Sequence, residues 1–187
     1  MFHVEHNKVL DFILKIIYNL LVQQKKCKSG QNRKIAALSD YSVCTFFCEV
    51  KMNELILKQL KQLTLKALKK DEVPVACIIV KDSKIISKAY NQKVSKKDPI
   101  AHAEVIAIKK ACKKIHSWNL KDCKLYVTLK PCNMCLTIIK EARITNVEYL
   151  VDNNKIVNNK MIITKNNNQE YEEYFSNIIS KFFRNKR

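Results

Sequence analysis

From residue 52 onward the chain alternates between two hydrophobic periods. Over 52–70, Ile56, Leu60, Leu63, Ala67 and Leu68 recur three and four positions apart, which predicts a helix with one apolar face. Residues 73–80 (VPVACIIV) form a short apolar run that reads as a buried strand. A second strand, 84–90, is joined to it by the turn Lys81-Asp82-Ser83. Asp98-Pro99 breaks the chain before a helix over 101–114, whose apolar side holds Ala103, Ile106, Ala107 and Ala111. Residues 124–129 (KLYVTL) alternate as a strand, Pro131 opens a helix that runs to about residue 142, and 147–151 is another strand. Asn-rich stretches surround a weak strand at 161–164, and 169–184 predicts a closing helix. Strands alternating with helices argue for an α/β fold, its sheet covered on both faces.

Residues 1–51 differ in character. Over 9–22 (VLDFILKIIYNLLV), Leu10, Ile13, Ile17, Leu20 and Leu21 fall at helical spacing opposite Asp11, Lys15 and Asn19, so the stretch reads as an amphipathic helix. A polar stretch and a Cys- and Phe-containing piece, 41–49, follow. The chain therefore divides into an N-terminal extension, 1–51, and a regular domain, 52–187. For the extension, translation beginning at Met52 competes with a genuine helix that docks a partner or a membrane surface.

Composition adds constraints. With 47% hydrophobic and 28% charged residues the domain is globular, and no apolar run reaches the ~20 residues that cross a bilayer. The formal charge is +18, but only Arg33, Arg143, Arg184 and Arg187 are arginines; the rest of the 35 basic residues are lysine. Lys and Asn share AT-rich codons, so the excess is compatible with a polyanionic partner without requiring one. Eight cysteines without a convincing secretion signal point to a reducing, cytoplasmic setting, where thiols serve as ligands, catalysts or core residues.

The candidate chemistry lies in two pieces, His102-Ala103-Glu104 and Pro131-Cys132-Asn133-Met134-Cys135. Cysteines three apart face one side of a helix, so one metal ion can bind both sulfurs, and a helix N-terminus favours the thiolate. His102 supplies a nitrogen ligand, and the fourth tetrahedral position is left for water, as in a catalytic zinc site. Zinc lowers the pKa of that water toward ~7, and Glu104 is placed to carry its proton. Residues two apart in a regular helix point about 200° apart, so His102 must sit at the cap or in an irregular first turn. A redox reading of Cys132 and Cys135 leaves His102 and Glu104 without a role. A structural zinc site would need a fourth protein ligand, for which Cys112 and Cys123 are the candidates, neither at knuckle spacing. The combination H-x-E…P-C-x-x-C, with Cys132 standing 28 positions after Glu104, is the signature of zinc nucleobase deaminases.

On these residues, 52–151 resemble the bacterial tRNA-specific adenosine deaminases, almost without gaps. The matching stretches are Glu72-Val73-Pro74-Val75, Asn91, Asp98-Pro99-Ile100-Ala101-His102-Ala103-Glu104, Leu125-Tyr126-Val127-Thr128-Leu129, Pro131 to Cys135, Arg143-Ile144 and the closing Phe182-Phe183-Arg184. The resemblance implies a three-layer α/β/α cytidine-deaminase-like fold with a central five-stranded mixed sheet, and a homodimeric hydrolase of tRNA processing. It implies one Zn2+ per subunit on His102, Cys132 and Cys135. Zinc-activated water would deaminate adenosine to inosine at the wobble position of a tRNA anticodon loop, typically of an arginine tRNA, with Glu104 as proton shuttle. Asn91 and Ala103 would bind the nucleoside. The basic residues Lys181, Arg184, Lys186 and Arg187 at the end of the closing helix are the expected RNA contacts.

The chain also departs from the family. Lys130 stands where a Glu usually precedes Pro-Cys, and an Asn/Lys-rich segment replaces the Gly-rich loop beyond Asn153. Two other functions compete. One is a deaminase of guanine, cytosine or a cytidine nucleotide, which would have no use for a basic RNA-binding face. The other is a noncatalytic RNA-binding subunit, which would not need the proton shuttle Glu104.

Overall fold

The computed structural model describes residues 38–153 and 163–186. The chain forms two units, 1–50 and 51–187. Of the first, the described residues belong to a helix; the amphipathic stretch 9–22 lies outside the described residues.

The elements are α1 (Leu38–Leu68), β1 (Ala76–Lys81), β2 (Lys84–Tyr90), α2 (Ala103–Ile115), β3 (Cys123–Leu129), α3 (Asn133–Glu141), β4 (Asn146–Val151), β5 (Ile163–Lys165) and α4 (Gln169–Arg184). The sheet order is β2-β1-β3-β4-β5. β1 pairs antiparallel with β2 and β3, whereas β4 runs parallel to β3 and β5. The crossover β3–α3–β4 supplies the helix that a parallel neighbour demands.

Alternation along β1 builds both cores. Ala76, Ile78 and Val80 face α1 and α4, packing with Ile56, Leu60, Leu63 and Phe175. Cys77 and Ile79 face the other way, into a cluster with Ala103, Ile106 and Ala107 of α2 and Ile139 of α3. The five-stranded mixed sheet thus lies between helix layers, the expected α/β/α architecture.

Two element boundaries differ from the periodicity. α1 begins at Leu38 rather than near residue 52, because no Gly or Pro interrupts the run from Leu38 to Leu68. β1 begins at Ala76 rather than residue 73. Pro74 has no N–H for a ladder, the Val75 N–H turns back to the Val73 carbonyl at 2.7 Å, and the Ala76 N–H donates to Thr128 Oγ1 at 3.0 Å.

The chain has one glycine, Gly30, outside the described residues. Every left-handed position among the described residues therefore falls on a side chain with a Cβ: Asp71, Asp82, Ser83, Lys97, His116 and Arg143. Asp82 and Ser83 (φ 48° and 55°) turn the β1–β2 hairpin, with both central residues left-handed as a two-residue loop prefers. Ser83→Gly should relieve ~1–2 kcal/mol of steric cost, offset in part by the added entropy of the unfolded chain. The expected net gain is about 0.5–1 kcal/mol, read as a raised urea midpoint at unchanged slope.

Candidate metal centre

β1 is antiparallel to both its neighbours, so its start lies beside the ends of β2 and β3: Ala76 pairs with Tyr90 and Cys77 with Val127. Two helices begin at that end of the sheet. His102 is the N-cap of α2 (φ −73°, ψ 155°) and Cys132 the N-cap of α3 (φ −71°, ψ 167°), both extended. The extended cap is what lets His102 and Glu104 serve one site despite their two-residue spacing. The first helical bonds run from Ile106 N–H to the His102 carbonyl at 3.0 Å and from Leu136 N–H to the Cys132 carbonyl at 2.9 Å.

His102, Cys132 and Cys135 come together, their ligand atoms all within 4.8 Å of one another. His102 Nδ1 lies 3.8 Å from Cys132 Sγ and 3.5 Å from Cys135 Sγ. A tetrahedral ion with Zn–S of about 2.3 Å and Zn–N of about 2.0–2.1 Å holds such donors roughly 3.5–3.8 Å apart, so the donor set fits zinc in type and in spacing. His102 and Cys132 are half-buried and Cys135 is buried. Cys112 and Cys123 are not in the group. Cys123 opens β3 and the site lies past its far end, about 20 Å away at ~3.3 Å per residue, so neither supplies a fourth ligand.

The two thiols are unlike. A hydrogen bond from Cys135, with help from the Cys135 backbone N–H and from His102, lowers Cys132 to about 5 against the effect of burial. That same bond and burial push Cys135 up. Cys132 is thus the readier of the two to ionise, and a dication bound to both would displace the thiol protons.

Glu104, in the first turn of α2, is 4% exposed. Burial raises its carboxyl above the ordinary range, with the Cys132 charge adding to the shift. Ala103, between His102 and Glu104, is fully buried in the core. Asn91 follows β2 and is buried. Its backbone N–H donates to the Val75 carbonyl at 3.0 Å, and the next N–H, of Gln92, donates to the Ala101 carbonyl at 2.9 Å, which brings Asn91 beside the His102 cap.

Sequence reasoning missed the role of Glu72. It is fully buried and accepts from Asn91 Nδ2 at 3.1 Å, Val94 N–H at 3.2 Å and Ser95 N–H at 2.7 Å. Burial pushes its carboxyl upward, but the bonds from Ser95, Val94 and Asn91 outweigh it and hold the pKa below the usual 4.5. Its stabilisation is therefore present above the unfolded pKa and lost as pH falls through the folded one. The available signal was a carboxylate heading the apolar run 73–80.

Lys130 sits over the Tyr149 ring at 5.5 Å and 3.8 Å from Asp152, which also accepts from the Tyr149 hydroxyl. The charge of the departing residue is met locally. Lys181 and Arg184 are exposed in the last turn of α4, Lys186 pairs with Asp71, and Arg187 lies outside the described residues. No helix among the described residues is long and apolar enough to cross a membrane.

Residues 52–187 match the MafB19-like deaminase family. The chain is 41% identical over 129 residues to a tRNA-specific adenosine deaminase of Aquifex aeolicus, covering 64% of this chain and 85% of that protein. It is 45% identical over 91 residues to the Rickettsia bellii enzyme of the same name, covering 48% of this chain but only 63% of that relative. A solved structure from a study of A-to-I editing by tRNA:A34 deaminases at the wobble position matches at TM-score 0.56 and 26% identity, over 61% of this chain and 99% of the other. A guanine deaminase from Bacillus subtilis matches at TM-score 0.50 and 40% identity, over 53% and 64%.

If the triad is the metal centre, purified protein binds one zinc per chain. Cys132→Ala should bind less than about a tenth of that, whereas Glu104→Gln, which removes no ligand, should bind it in full; atomic emission reads both.

Proposed function

The chain belongs to the MafB19-like deaminase family and, with it, to the tRNA-specific adenosine deaminases, and from that premise we propose that it converts adenosine to inosine at the wobble position of a tRNA. The observation that carries this reading is a His/Cys/Cys donor triad with a buried carboxylate two residues from the histidine. The tRNA-specific relatives at 41% and 45% identity support the substrate.

In this reading His102, Cys132 and Cys135 hold zinc. Bound there, zinc supplies a water acidified toward neutrality. The purine, flipped out of the anticodon loop, is held by Asn91 and at Ala103. Glu104 takes a proton from the attacking water and delivers it to N1 as the C6–O bond forms. It then passes the second proton to the departing amine, so that adenosine and water leave as inosine and ammonia. A carboxyl raised by burial is suited to both halves of that relay, since it can hold a proton nearer neutral pH than an exposed one. The tRNA is an arginine tRNA in this proposal, the enzyme a cytoplasmic homodimer, and Lys181, Arg184, Lys186 and Arg187 its backbone contacts.

Guanine deamination is the second reading, favoured by the 40% identical guanine deaminase. The zinc-loaded chain is incubated with tRNA transcripts carrying adenosine at the wobble position, arginine tRNA among them, and with guanine and cytidine. Inosine at the wobble position by sequencing is the expected result; ammonia from guanine alone would replace this reading with the second. Glu104→Gln should slow turnover about 10²–10⁴-fold at unchanged zinc content.

The basic tail has its own test. The exposed pair of Lys186 with Asp71 is worth ~1 kcal/mol or less and would not keep that lysine from a phosphate. Truncation after Phe183 should weaken tRNA binding and flatten the plot of log affinity against log salt by roughly 0.7–0.9 per lost phosphate contact. An unchanged slope makes the tail a solvated end.

A further inference from the structure

We propose that Glu72 is a positioning residue for the substrate: its ionised carboxylate sets which end of the Asn91 amide faces the bound base and pins the loop that leads to His102. The proposal rests on the deaminase reading of the site.

An ionised carboxylate only accepts hydrogen bonds. The Asn91 amide can present either its NH2 or its oxygen to a neighbour, and Glu72 admits only the first. With one N–H of Nδ2 committed to Glu72 at 3.1 Å, the amide is held in one orientation, which turns Oδ1 away from Glu72 as the acceptor for an N–H or O–H of a nucleoside. Without that commitment both amide orientations are open, and a share of the chains would offer a donor where an acceptor is needed. The Glu72 carboxylate also takes the N–H groups of Val94 and Ser95. Those residues lie in the segment between Asn91 and His102, which Gln92 closes at its base through the Ala101 carbonyl. One buried side chain thus fixes the amide's polarity and the start of the loop beside it. The same loop carries Lys93, Lys96 and Lys97, so the anchor also sets where those charges stand relative to the site.

Glu72 touches neither the metal ligands nor Glu104 in its bonds, so its loss should act through Asn91 and not through the metal. The full-length, zinc-loaded chain is compared with Glu72→Gln, Asn91→Ala, the double variant of those two, and the polarity swap Glu72→Gln with Asn91→Asp. In the swap, the new amide at position 72 can donate to the new carboxylate at position 91, whose second oxygen then accepts as Asn91 Oδ1 does in the parent. Expected are a tenfold or larger loss of kcat/KM in Glu72→Gln at unchanged zinc content, and no further loss beyond about twofold when it is added to Asn91→Ala. The swap should recover at least part of the Glu72→Gln loss. Multiplicative losses in the double variant, or a Glu72→Gln enzyme within about twofold of the parent, overturn the proposal. Should Glu72→Gln fail to unfold cooperatively, the swap decides alone: activity well above Asn91→Ala supports the coupling, and activity no better than Asn91→Ala rejects it.

Hydrogen exchange separates this proposal from the reading it rests on. In the parent, the Val94 and Ser95 amides and the Asn91 side-chain NH2 should be protected, and Glu72→Gln should expose them. A parent that deaminates nothing but shows this pattern defeats the deaminase reading and leaves the anchor standing. Protection unchanged in Glu72→Gln defeats the anchor whatever the parent's activity.

Discussion

Two buried carboxylates at one end of a sheet set the terms for everything around them. An unpaired buried charge costs several kcal/mol, so each must be neutralised, hydrogen-bonded or both. Glu72 is satisfied by three N–H groups and is held ionised, with its pKa below the ordinary range. Glu104 accepts from its own backbone N–H and from the Cys135 thiol, but burial, with the Cys132 charge, outweighs them and drives its pKa the other way. The same side chain in two environments therefore becomes a fixed acceptor in one place and is suited to carrying a proton in the other. The division of labour follows from where the N–H donors are.

Those donors are where they are because of strand direction. With β1 antiparallel to both neighbours, its first residues meet the last residues of β2 and β3, and the segments leaving those strands start α2 and α3 at the same edge. Helix N-termini carry unpaired N–H groups and partial positive charge, which suits a thiolate at a cap. Cys132 sits at such a cap and Cys135 in the first turn behind it. The helices are held in place by small residues, Ala103, Ala107 and Ala111 among them, that let α2 lie close on the sheet. The His/Cys/Cys group and Glu104 are thus gathered at one edge by the sheet's topology.

Local rules made much of this legible. Period and turn signals located five strands and the helices that alternate with them, and residue spacing located the His/Cys/Cys group. What they missed is tertiary. The start of α1 at Leu38 was hidden because the segment has neither a breaker nor a clear cap, so nothing local marks an end or a beginning. The extended caps at His102 and Cys132 depend on the sheet edge they leave. Glu72 stood in the sequence only as the first residue of the Glu72-Val73-Pro74-Val75 stretch, and its hydrogen-bonded role exists only once Asn91, Val94 and Ser95 close around it from 19 to 23 residues away.

The positive charge shows the same dependence on tertiary context. Several lysines that count toward +18 are partly neutralised where they stand: Lys124 by Glu148, Lys130 and Lys165 by Asp152, and Lys186 by Asp71. Lys130, which stands where the family usually has a Glu before Pro131 and Cys132, illustrates the point. Its ammonium turns to Asp152 and the Tyr149 ring. At physiological salt, exposed charges are screened beyond about 8 Å, so a polyanion responds to the charges close to it and not to the total. Among the described residues, Lys93, Lys96 and Lys97 form no ion pair and stand on the segment that joins Asn91 to His102. Their position is set by a backbone that Glu72 holds, so the charge that reaches a ligand at this edge is governed by the same buried carboxylate that orients the Asn91 amide.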